Sequence, residues 1–493
     1  MNHCSTIEER IHMISQMLAQ PPHGLVSQLS RAHQVSRQTL YRWAATGRQA
    51  LEKALGKDVR PMKQTPSVPT LILTMLIETH ASYRGIQSSL RSLHGIEISV
   101  GKIAGIVKEA GQRAQRWVNQ QQAETARTLA LDEQYSSQRG KASLNVIDVH
   151  SGQVWASVPP VEVDGESWTL LLWYLGEQGI SRASTVSDGG RAIQQAVSQV
   201  HGEETHQRDV WHLFHVAAQV QGRLDRAVKT EQDRLSLIQR QAEHEAAGKR
   251  IRGRHPKATL PEQQALLAQM EYVADGIRYL CQQLHTLLEV VVLSSERLLS
   301  SIHRQGEIEA VLDLLDELAP LARPALQRHI HMLSKQVRLA LSQILLFARQ
   351  LDAMQERVSR ILGPEVVALL AWAWVRRTVL GPTSEDLLQS VPLAWRADAS
   401  CLLSAWDQAV RASSAVENWH SIVRPHLAVH RTLSAGMLAL LAVWHHHRIA
   451  PRGLHEGLSP LQRTGSTSSE RNWLAALGYS VLAASLFKSV TWF

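Results

Sequence analysis

Three carboxylates in this chain, Asp132, Asp188 and Glu417, belong to segments that could bring them together around divalent metal ions. Asp132 follows the mostly apolar run 128–131, and Asp188 follows the short strand-like run 183–186. Hard cations such as Mg²⁺ take oxygen ligands and are usually held by one or two carboxylates. Two such ions, about 3.5 to 4 Å apart, can activate an attacking oxygen and stabilise a leaving one. The three acids therefore favour a two-metal phosphoryl-transfer site that uses Mg²⁺ or Mn²⁺.

The elements predicted around these acids would place them at one edge of a sheet. Residues 142–148 and 153–158 read as a strand pair, so Asp132 is expected at the mouth of a sheet. Asp188 precedes two glycines and an amphipathic helix, which puts it at the carboxyl end of a strand, where open α/β sheets hold their ligands. Glu417 is predicted on a helix with an apolar face of Val416, Trp419, Ile422 and Val423 and a polar face of Glu417, His420, Ser421 and Arg424.

Each acid also has a purely structural interpretation. Asp132 could lie in a turn at a strand end, and an aspartate before two glycines, as at Asp188, is a common turn pattern. Glu417 lies three residues after Ser414, which is the spacing of a helix capping box. The combination in this order, two strand aspartates followed by a helix glutamate, is much rarer by chance than any of its parts.

Asp132, the segment 187–190 and the helix with Glu417 together resemble the active-site segments of a DDE transposase of a bacterial insertion sequence. The resemblance covers residues 125–215 and 405–450. It implies an α/β ribonuclease-H-like core, interrupted by a large all-α insertion and preceded by helical helix-turn-helix DNA-binding domains. It also implies that the three acids are catalytic and hold two metal ions.

Residues 208–215 are similar to the (Cys or Asp)-x-x-His motif that follows the second aspartate in several such families. The resemblance implies that Asp209 and His212 organise the metal site or the scissile phosphate, whereas a strand running into a helix with a surface histidine is the simpler alternative. Relatives often carry Glu-Asn-x-Asn on the last helix, where this chain has His420 at the final position. His420 could replace that asparagine as an organising nucleic-acid contact, or the difference could mark another subfamily.

The length of 493 residues is too great for one compact core and predicts several domains. They are a helix-turn-helix domain (1–60), a linker (61–70), a second helical DNA-binding domain (71–120), the first part of the catalytic core (125–215), the all-helical insertion (216–404), the second part of the core (405–450) and a C-terminal tail (451–493). The net charge of +8 favours a polyanionic partner. The interval between Asp188 and Glu417, 417 − 188 = 229 residues, is what requires an inserted domain.

Composition excludes several classes of protein. No run approaches 18 apolar residues, so no membrane span is expected. The N-terminal residues lack a secretory pattern, and a place in the bacterial cytoplasm, with the nucleoid, is expected. The three cysteines are far apart, which excludes a disulfide framework and a Cys-x-x-Cys zinc site.

The first 120 residues are typical of DNA-binding modules. Residues 24–33 and 37–43 predict two helices joined by a short turn, with Ser36 as the cap of the second. A helix-turn-helix places the start of its second helix in the major groove, so the candidate DNA contacts there are Arg37, Gln38, Thr39 and Arg42. An ordinary helical hairpin is the alternative. Residues 71–80, 83–93 and 99–117 predict three further helices, with a turn at Gly95 and a cap at Ser99.

The insertion and the C-terminal part offer further candidate contacts. The loop 249–257 joins two long predicted helices, and its cations are either phosphate contacts or a solvated hairpin end; they include Arg250, Arg252 and Arg254. Four tryptophans near the end of the insertion favour core packing, with base stacking as the alternative; they are Trp372, Trp374, Trp395 and Trp406. Arg424 is a candidate DNA contact, and the histidine run 445–447 is expected to be solvated or to face DNA.

The preferred hypothesis is a DNA transposase that binds the terminal repeats of its element on double-stranded DNA. It would cleave with metal-activated water and join the freed 3′-hydroxyl to target DNA, with no covalent protein intermediate. The resemblance implies a homodimer or larger assembly, since two ends must be handled together. The alternatives are a noncatalytic DNA-binding regulator derived from a transposase and a structure-specific nuclease with the same core.

Overall fold

A computed structural model describes most of the chain. The residues described are 6–18, 24–55, 67–121, 127–180, 182–202, 205–249, 258–294, 297–380, 384–452, 455–465 and 472–480. They divide into two compact units, one formed by Met1–Thr70 with Ser480–Phe493 and the other by Leu71–Tyr479. The predicted DNA contacts Arg250, Arg252 and Arg254 lie outside the described residues. Within the described ranges, no helix combines the length and the apolar character that crossing a bilayer requires.

The first unit begins with three helices, α1 (Ile7–Leu18), α2 (Leu25–Ala32) and α3 (Arg37–Leu55). The two helices predicted from sequence are confirmed as α2 and α3, although α3 continues twelve residues past its predicted end at 43. Ser36 caps α3 by accepting a hydrogen bond from the Thr39 amide at 3.1 Å. Leu29 and Leu40 pack with Met13 and Met17 of α1, so a helix that sequence analysis did not predict completes this small core.

The second unit is built around a mixed sheet of six strands, of which β1 is central. The elements of this part are β1 (Arg127–Tyr135), β2 (Lys141–Asp148), β3 (Val154–Ser157), β4 (Val161–Glu162), α7 (Gly165–Glu177), β5 (Arg182–Ser187), α8 (Arg191–Val200) and β6 (His206–Arg208). The strand order is β3-β2-β1-β5-β6, with β4 pairing β2. Strands β1, β2 and β3 are antiparallel neighbours, whereas β5 and β6 run parallel to β1.

Apolar side chains explain how α7 and α8 cover this sheet. Trp168 and Leu172 of α7 and Ile193 and Val197 of α8 are buried in one cluster with Leu129 of β1. A helix presents residues three and four apart on one face, which is the spacing seen in each of these pairs. The sheet therefore has a firm apolar layer beneath the strand ends where the acids were predicted.

A large helical region follows β6. It contains α9 (Val210–Ala246), α10 (Leu260–Leu287), α11 (Ser301–Leu318), α12 (Pro324–Ile344), α13 (Leu346–Leu362), α14 (Pro364–Leu380), α15 (Ser384–Gln389) and α16 (Arg396–Gln408). Short 3₁₀ turns lie at Ala319–Leu321 and Leu393–Trp395. One extended apolar cluster joins these helices. The prediction of an all-helical insertion needs a correction, because β7 (Leu293–Ser294) and β8 (Arg297–Leu298) pair as a small antiparallel hairpin.

The four tryptophans near the end of this region have two different environments. Trp374 and Trp406 are buried in the helical core, with ring centroids 5.7 Å apart. Trp372 is 43% exposed and Trp395 is 37% exposed. The core-packing interpretation is thus confirmed for the first pair.

The chain then returns to the sheet through α17 (Ser414–His430) and α18 (Ala435–His447), followed by the short helices α19 (Pro460–Arg463) and α20 (Trp473–Ala476). The helices predicted for residues 71–117 are α4 (Val68–Glu78), α5 (Tyr83–His94) and α6 (Val100–Asn119). Ser99 caps α6, and Gly95 adopts a left-handed turn conformation with φ of 64°, both as predicted.

Helix α6 packs closely against α18, so residues 71–120 do not stand apart from the core. A Cβ atom on Gly111 would lie 2.9 Å from the backbone of Gly436, which shows how near the two helices approach. The indole of Trp444 also donates a hydrogen bond to Glu78 at 2.6 Å. The segment predicted as a separate DNA-binding domain therefore belongs to the same compact unit as the sheet.

The histidine run at the end of α18 is buried, which corrects the prediction of a solvated or DNA-facing end. His445, His446 and His447 are each less than 10% exposed. The ring of His446 accepts a hydrogen bond from the Val154 amide of β3 at 2.8 Å, and Trp117 of α6 lies against His447. Burial lowers the pKa of His445 to about 4 and that of His446 well below its usual value. These buried rings hold α18 between β3 and α6.

Candidate metal centre

One cavity of about 520 Å³ collects most of the predicted site residues. Its lining includes the three predicted metal ligands and the four predicted neighbours Asp209, His212, His420 and Arg424. Strand β1, the turn after β5, the N-cap and first turn of α9, and α17 supply these side chains. Segments that are nearly three hundred residues apart in sequence thus meet at one surface of the sheet.

Asp132 lies within β1, not at its end, which corrects the predicted strand boundary. The strand continues to Tyr135 because β2 keeps pairing with it, from Asp132 opposite Asn145 to Tyr135 opposite Ala142. The parallel partner β5 stops earlier, with Val186 opposite Ala130. Asp132 is therefore two residues beyond the last parallel pair, and its side chain, which is 20% exposed, lines the cavity.

Two of the three acids approach one another within coordinating reach. Ligand atoms of Asp132, Glu417 and His420 all lie within 4.8 Å of one another. Asp188 is described by the structure and lines the same cavity, but it is not a member of this close group. The predicted convergence of three carboxylates thus holds for the cavity, whereas the tight cluster has His420 in the place expected for Asp188.

The electrostatics of Asp132 favour a bound cation. Burial, together with the nearby carboxylates of Asp188, Glu133 and Glu417, raises the pKa of Asp132 to about 7, against a hydrogen bond from the Glu133 amide. Carboxylates crowded in a partly buried cavity are costly in their ionised form. A divalent cation would relieve that cost, and oxygen donors are what Mg²⁺ prefers.

Asp188 occupies the turn between β5 and α8. Its Oδ1 accepts a hydrogen bond from the Gly190 amide at 2.8 Å. Gly189 has φ of +79°, and a Cβ atom there would lie 1.0 Å from the guanidinium of Arg208. The positive φ favours glycine at this position, and any larger residue would displace the Arg208 guanidinium.

Glu417 is free of the capping role that its spacing from Ser414 suggested. Helix α17 begins at Ser414 with Ser413 as its N-cap, and no side chain caps it. The carboxylate of Glu417 is exposed and pairs instead with Arg424 at 3.2 Å. An exposed ion pair of this kind contributes little stability, so the glutamate remains available to a metal ion.

Asp209 connects the starts of helices α9 and α17, both of which line the cavity. Its Oδ1 accepts hydrogen bonds from the amides of Trp211 and His212, at 2.7 and 3.2 Å, and so caps α9. Its Oδ2 accepts from the Ser413 amide at 3.0 Å, immediately before α17. This buried carboxylate therefore positions the first turn of α17, which contains Glu417. His212 is half-buried and lines the cavity.

His420 is buried, which corrects its assignment to the polar, DNA-facing side of α17. Its Nδ1 lies 3.7 Å from Asp132 Oδ2, and its Nε2 lies 3.1 Å from Asn145 Nδ2. Burial lowers its pKa to about 4, so the ring is neutral near pH 7.

The hydrogen bonds of Asn145 determine which nitrogen of His420 carries the proton. The indole of Trp419 can only donate, and it donates to Asn145 Oδ1 at 3.0 Å, as does the Ser157 hydroxyl at 2.7 Å. The amide group of Asn145 therefore faces His420 and donates to Nε2. The proton of the neutral ring is then on Nδ1 and is directed toward Asp132. His420 therefore orients the Asp132 carboxylate, and its Nδ1 has no lone pair available to bind a metal ion.

Three residues of this site were not predicted from the sequence. Glu133 lines the cavity and accepts a hydrogen bond from the Trp168 indole at 2.8 Å. Asn145 hydrogen-bonds the ring of His420, and Arg208 lies near Asp188. The acid pair at 132–133 is a local signal that could have indicated Glu133, but Asn145 reads as an ordinary strand residue, and only its cross-strand position opposite Asp132 marks it.

The candidate DNA contacts of the first unit lie at the start of α3. Arg37, Gln38 and Arg42 are exposed. Thr39 is half-buried, and its hydroxyl hydrogen-bonds Ser36 at 2.8 Å, so its role in the cap is established by geometry. Exposed cations at the first turns of a second helix are the arrangement that a helix-turn-helix needs.

No model of a known protein family matches the chain, and no curated protein matches it either.

Proposed function

We propose that this protein is a DDE transposase, an enzyme that cleaves and joins DNA at a two-metal centre. The observation that carries the proposal is the approach of Asp132 and Glu417 within 4.8 Å, in a cavity that Asp188 also lines. Carboxylates from separate elements, gathered where Asp132 is costly to ionise, suit a site for divalent cations.

The sheet is consistent with the proposed ribonuclease-H-like core. It is mixed, and Asp132 lies on its central strand while Asp188 follows the parallel neighbour β5. The large helical region enters between Asp188 and Glu417, as expected for the proposed insertion. These features support the proposed fold at the level of its layers and strand directions.

The residues of this chain would contribute binding and orientation. Bound Mg²⁺ or Mn²⁺ would polarise the scissile phosphate and activate water or a 3′-hydroxyl. Asp132, Glu417 and Asp188 would hold the ions through oxygen atoms. His420 would keep the Asp132 carboxylate in place through its Nδ1 proton, and Asp209 would hold the start of α17. Arg424, released from Glu417 when that acid binds a cation, could then contact a DNA phosphate.

Double-stranded DNA is the proposed substrate, as element ends and as target. The net charge of +8 and the exposed Arg37, Gln38 and Arg42 support a polyanionic partner. We propose assembly as a homodimer or larger on DNA, since two element ends must be joined to one target.

The test is strand cleavage and strand transfer with Mg²⁺ on DNA that carries the terminal repeats of the element. Asp132→Ala, Asp188→Ala and Glu417→Ala should each abolish both reactions while DNA binding, measured by fluorescence anisotropy, stays within about twofold. Both reactions should be lost because alanine removes the carboxylate oxygens that would hold the metal ions. Glu166→Ala, an exposed acid in the first turn of α7, is the matched control and should retain full activity.

Activity retained by any of the three alanine variants would remove that residue from the site. Hydrolysis without joining of a 3′-hydroxyl end to a second DNA would favour the structure-specific nuclease. Repeat binding with neither reaction in the wild-type protein would favour the noncatalytic regulator.

A further inference from the structure

A second cleft, of about 420 Å³, adjoins the acidic cavity and lies between α8, β6 and α12. Two pairs of consecutive residues form the border between them. At the end of β5, Asp188 lines the acidic cavity and Gly189 lines the cleft; at the end of β6, Asp209 lines the cavity and Arg208 lines the cleft. Consecutive Cα atoms are about 3.8 Å apart, so one residue's width separates the two spaces at both points.

Hydrogen-bond donors dominate the lining of this cleft. The ring of His206 lines the cleft but is hydrogen-bonded to Thr185 and Ser187. The other lining side chains that can donate are Arg191, Arg208, Gln194, Gln336 and Gln343. No hydrogen bond or ion pair joins any of these five side chains to another residue in the described part of the chain. Among the residues that the structure describes, no carboxylate lines the cleft. Its chemistry is therefore that of a site for an anion with several acceptor oxygens.

Arg208 gives the clearest indication of a missing acceptor. Its guanidinium has five donors and no acceptor, and it is half-buried against Gly189. Asp188 and Asp209 attract it electrostatically, but neither forms an ion pair with it in the described structure. Withdrawing a charged group from water without a partner is costly. A ligand oxygen in the cleft would supply that partner.

The start of α8 adds to the same preference. The N-cap of this ten-residue helix is Gly190, which has no side chain. No side-chain oxygen therefore accepts a hydrogen bond from the first amides of α8. Helix N-termini favour anions because their amides are unpaired and the helix dipole is positive there. Arg191, the first helical residue, is exposed beside them.

We propose that this cleft binds a backbone phosphate of the DNA strand whose neighbouring phosphate occupies the acidic cavity. The proposal rests on the proposed function for the identity of the anion. Duplex DNA carries one phosphate per about 3.4 Å of axis on each strand, so two adjoining cavities can hold nearby phosphates of one strand. The cleft would thereby set the register of the scissile phosphate without contacting a base.

The test is binding of a fluorescein-labelled DNA duplex by the full chain, measured by anisotropy over a range of salt concentrations in Ca²⁺. The variant is the double substitution Arg191→Ala with Gln343→Ala, neither of which lines the acidic cavity. We expect binding about tenfold weaker and a slope of log Kd against log salt that is smaller by about one, as for the loss of one phosphate contact. Arg360→Ala, an exposed arginine of α13, is the control and should change neither quantity.

Single methylphosphonate substitutions in the duplex identify the phosphate concerned. We expect one position at which neutralising the phosphate weakens binding by the wild-type protein and has no effect on the double variant. Thermal unfolding of the variant at the wild-type midpoint would confirm that the fold is intact.

Equal affinity and equal salt slope for the double variant and the wild type would overturn the proposal. Displacement of the duplex by inorganic phosphate, at the same ionic strength, would show a site for free phosphate and would also overturn it. If the wild type binds DNA with the expected phosphate dependence but cuts no DNA in Mg²⁺, the transposase proposal fails and the cleft stands. If the wild type binds no DNA, both fail.

Discussion

At the scale of single residues, the site depends on how Asp132 is held and how costly its charge is. Burial and three neighbouring acids raise its pKa to about 7. His420 directs an N–H group toward the carboxylate, and Asn145, buried behind His420, keeps that proton in place. Both effects act before any metal binds, so both can be measured on the metal-free protein.

The raised pKa of Asp132 predicts a specific dependence of stability on pH. The folded-state pKa of about 7 exceeds the usual 3.8, so the stabilising contribution of the protonated form is complete below 3.8 and is lost as pH rises to about 7. In the metal-free protein, Asp132→Asn should therefore match the wild type at low pH and be more stable above pH of about 7. Urea unfolding in EDTA at a series of pH values measures this. Identical curves at every pH would contradict it.

Asp164 provides a control of opposite sign. It caps α7, and the hydrogen bond from the Ser167 amide lowers its pKa. Its contribution is therefore present above its usual pKa and lost as pH falls. Asp164→Ala should lose stability at neutral pH and approach the wild type in acid.

The protonation of His420 on Nδ1 predicts the effect of Asn145→Asp. The carboxylate of that variant has no N–H to donate, so the ring should place its proton on Nε2 and leave Nδ1 unprotonated toward Asp132. The ¹⁵N shifts of labelled histidine side chains distinguish the two tautomers, and His420→Gln identifies the signal. Ser157→Ala removes only one donor to Asn145 Oδ1 and should leave the tautomer unchanged. A wild-type ring already protonated on Nε2 would contradict the argument.

At the scale of elements, the site is positioned by helices that pack across large distances in sequence. Asp209 caps α9 and binds the residue before α17. Helix α18 follows α17 and is held by buried histidines against β3 and by a glycine contact against α6. The helices of residues 71–120 thereby support the elements that carry the acids.

The glycine contact predicts opposite effects for two substitutions on α6. Gly111→Ala should destabilise the protein by about 1 to 3 kcal/mol, because its methyl group would meet the Gly436 backbone at 2.9 Å. Gly105→Ala, on the same helix with open space around it, should stabilise by up to about 1 kcal/mol through helix propensity. Chemical unfolding measures both. Equal shifts for the two variants would show that α6 and α18 do not need this close approach.

At the scale of the whole molecule, two compact units divide the predicted tasks. The unit with α1 to α3 carries the candidate base contacts, and the unit from Leu71 to Tyr479 carries the acidic cavity and the adjoining cleft. Recognition of an end and chemistry on it would then be separable by substitution.

This division predicts that DNA binding can be weakened without disturbing the metal centre. Arg37→Ala with Arg42→Ala should weaken binding of the terminal repeat by at least about tenfold, since each exposed arginine can contact a base or a phosphate. Metal affinity, measured by Mn²⁺ titration, should not change. Arg48→Ala, exposed further along α3, is the control. Unchanged repeat binding by the double variant would contradict the helix-turn-helix assignment.

The sequence by itself determined most of the local structure. Helices α2 to α6, the caps at Ser36 and Ser99 and the strands β1, β2, β3 and β5 were predictable, whereas α1 was not. Each of the predicted elements depends on apolar periodicity or on hydrogen bonds within about four residues. The presence of a large helical region after β6 followed from the same periodicity. The three acids could be named because each lies beside a recognisable strand, turn or helix pattern.

Only the tertiary structure decided which side chains meet and which are buried. Asp132 lies within a strand because β2 continues to pair with β1 after the pairing with β5 has ended. The sequence of one strand alone does not show where its partners stop. His420 and the histidines of α18 were predicted to face solvent or DNA, yet partners from β2, β3 and α6 bury them. Local patterns report the face of an element, whereas burial depends on what distant segments place against that face.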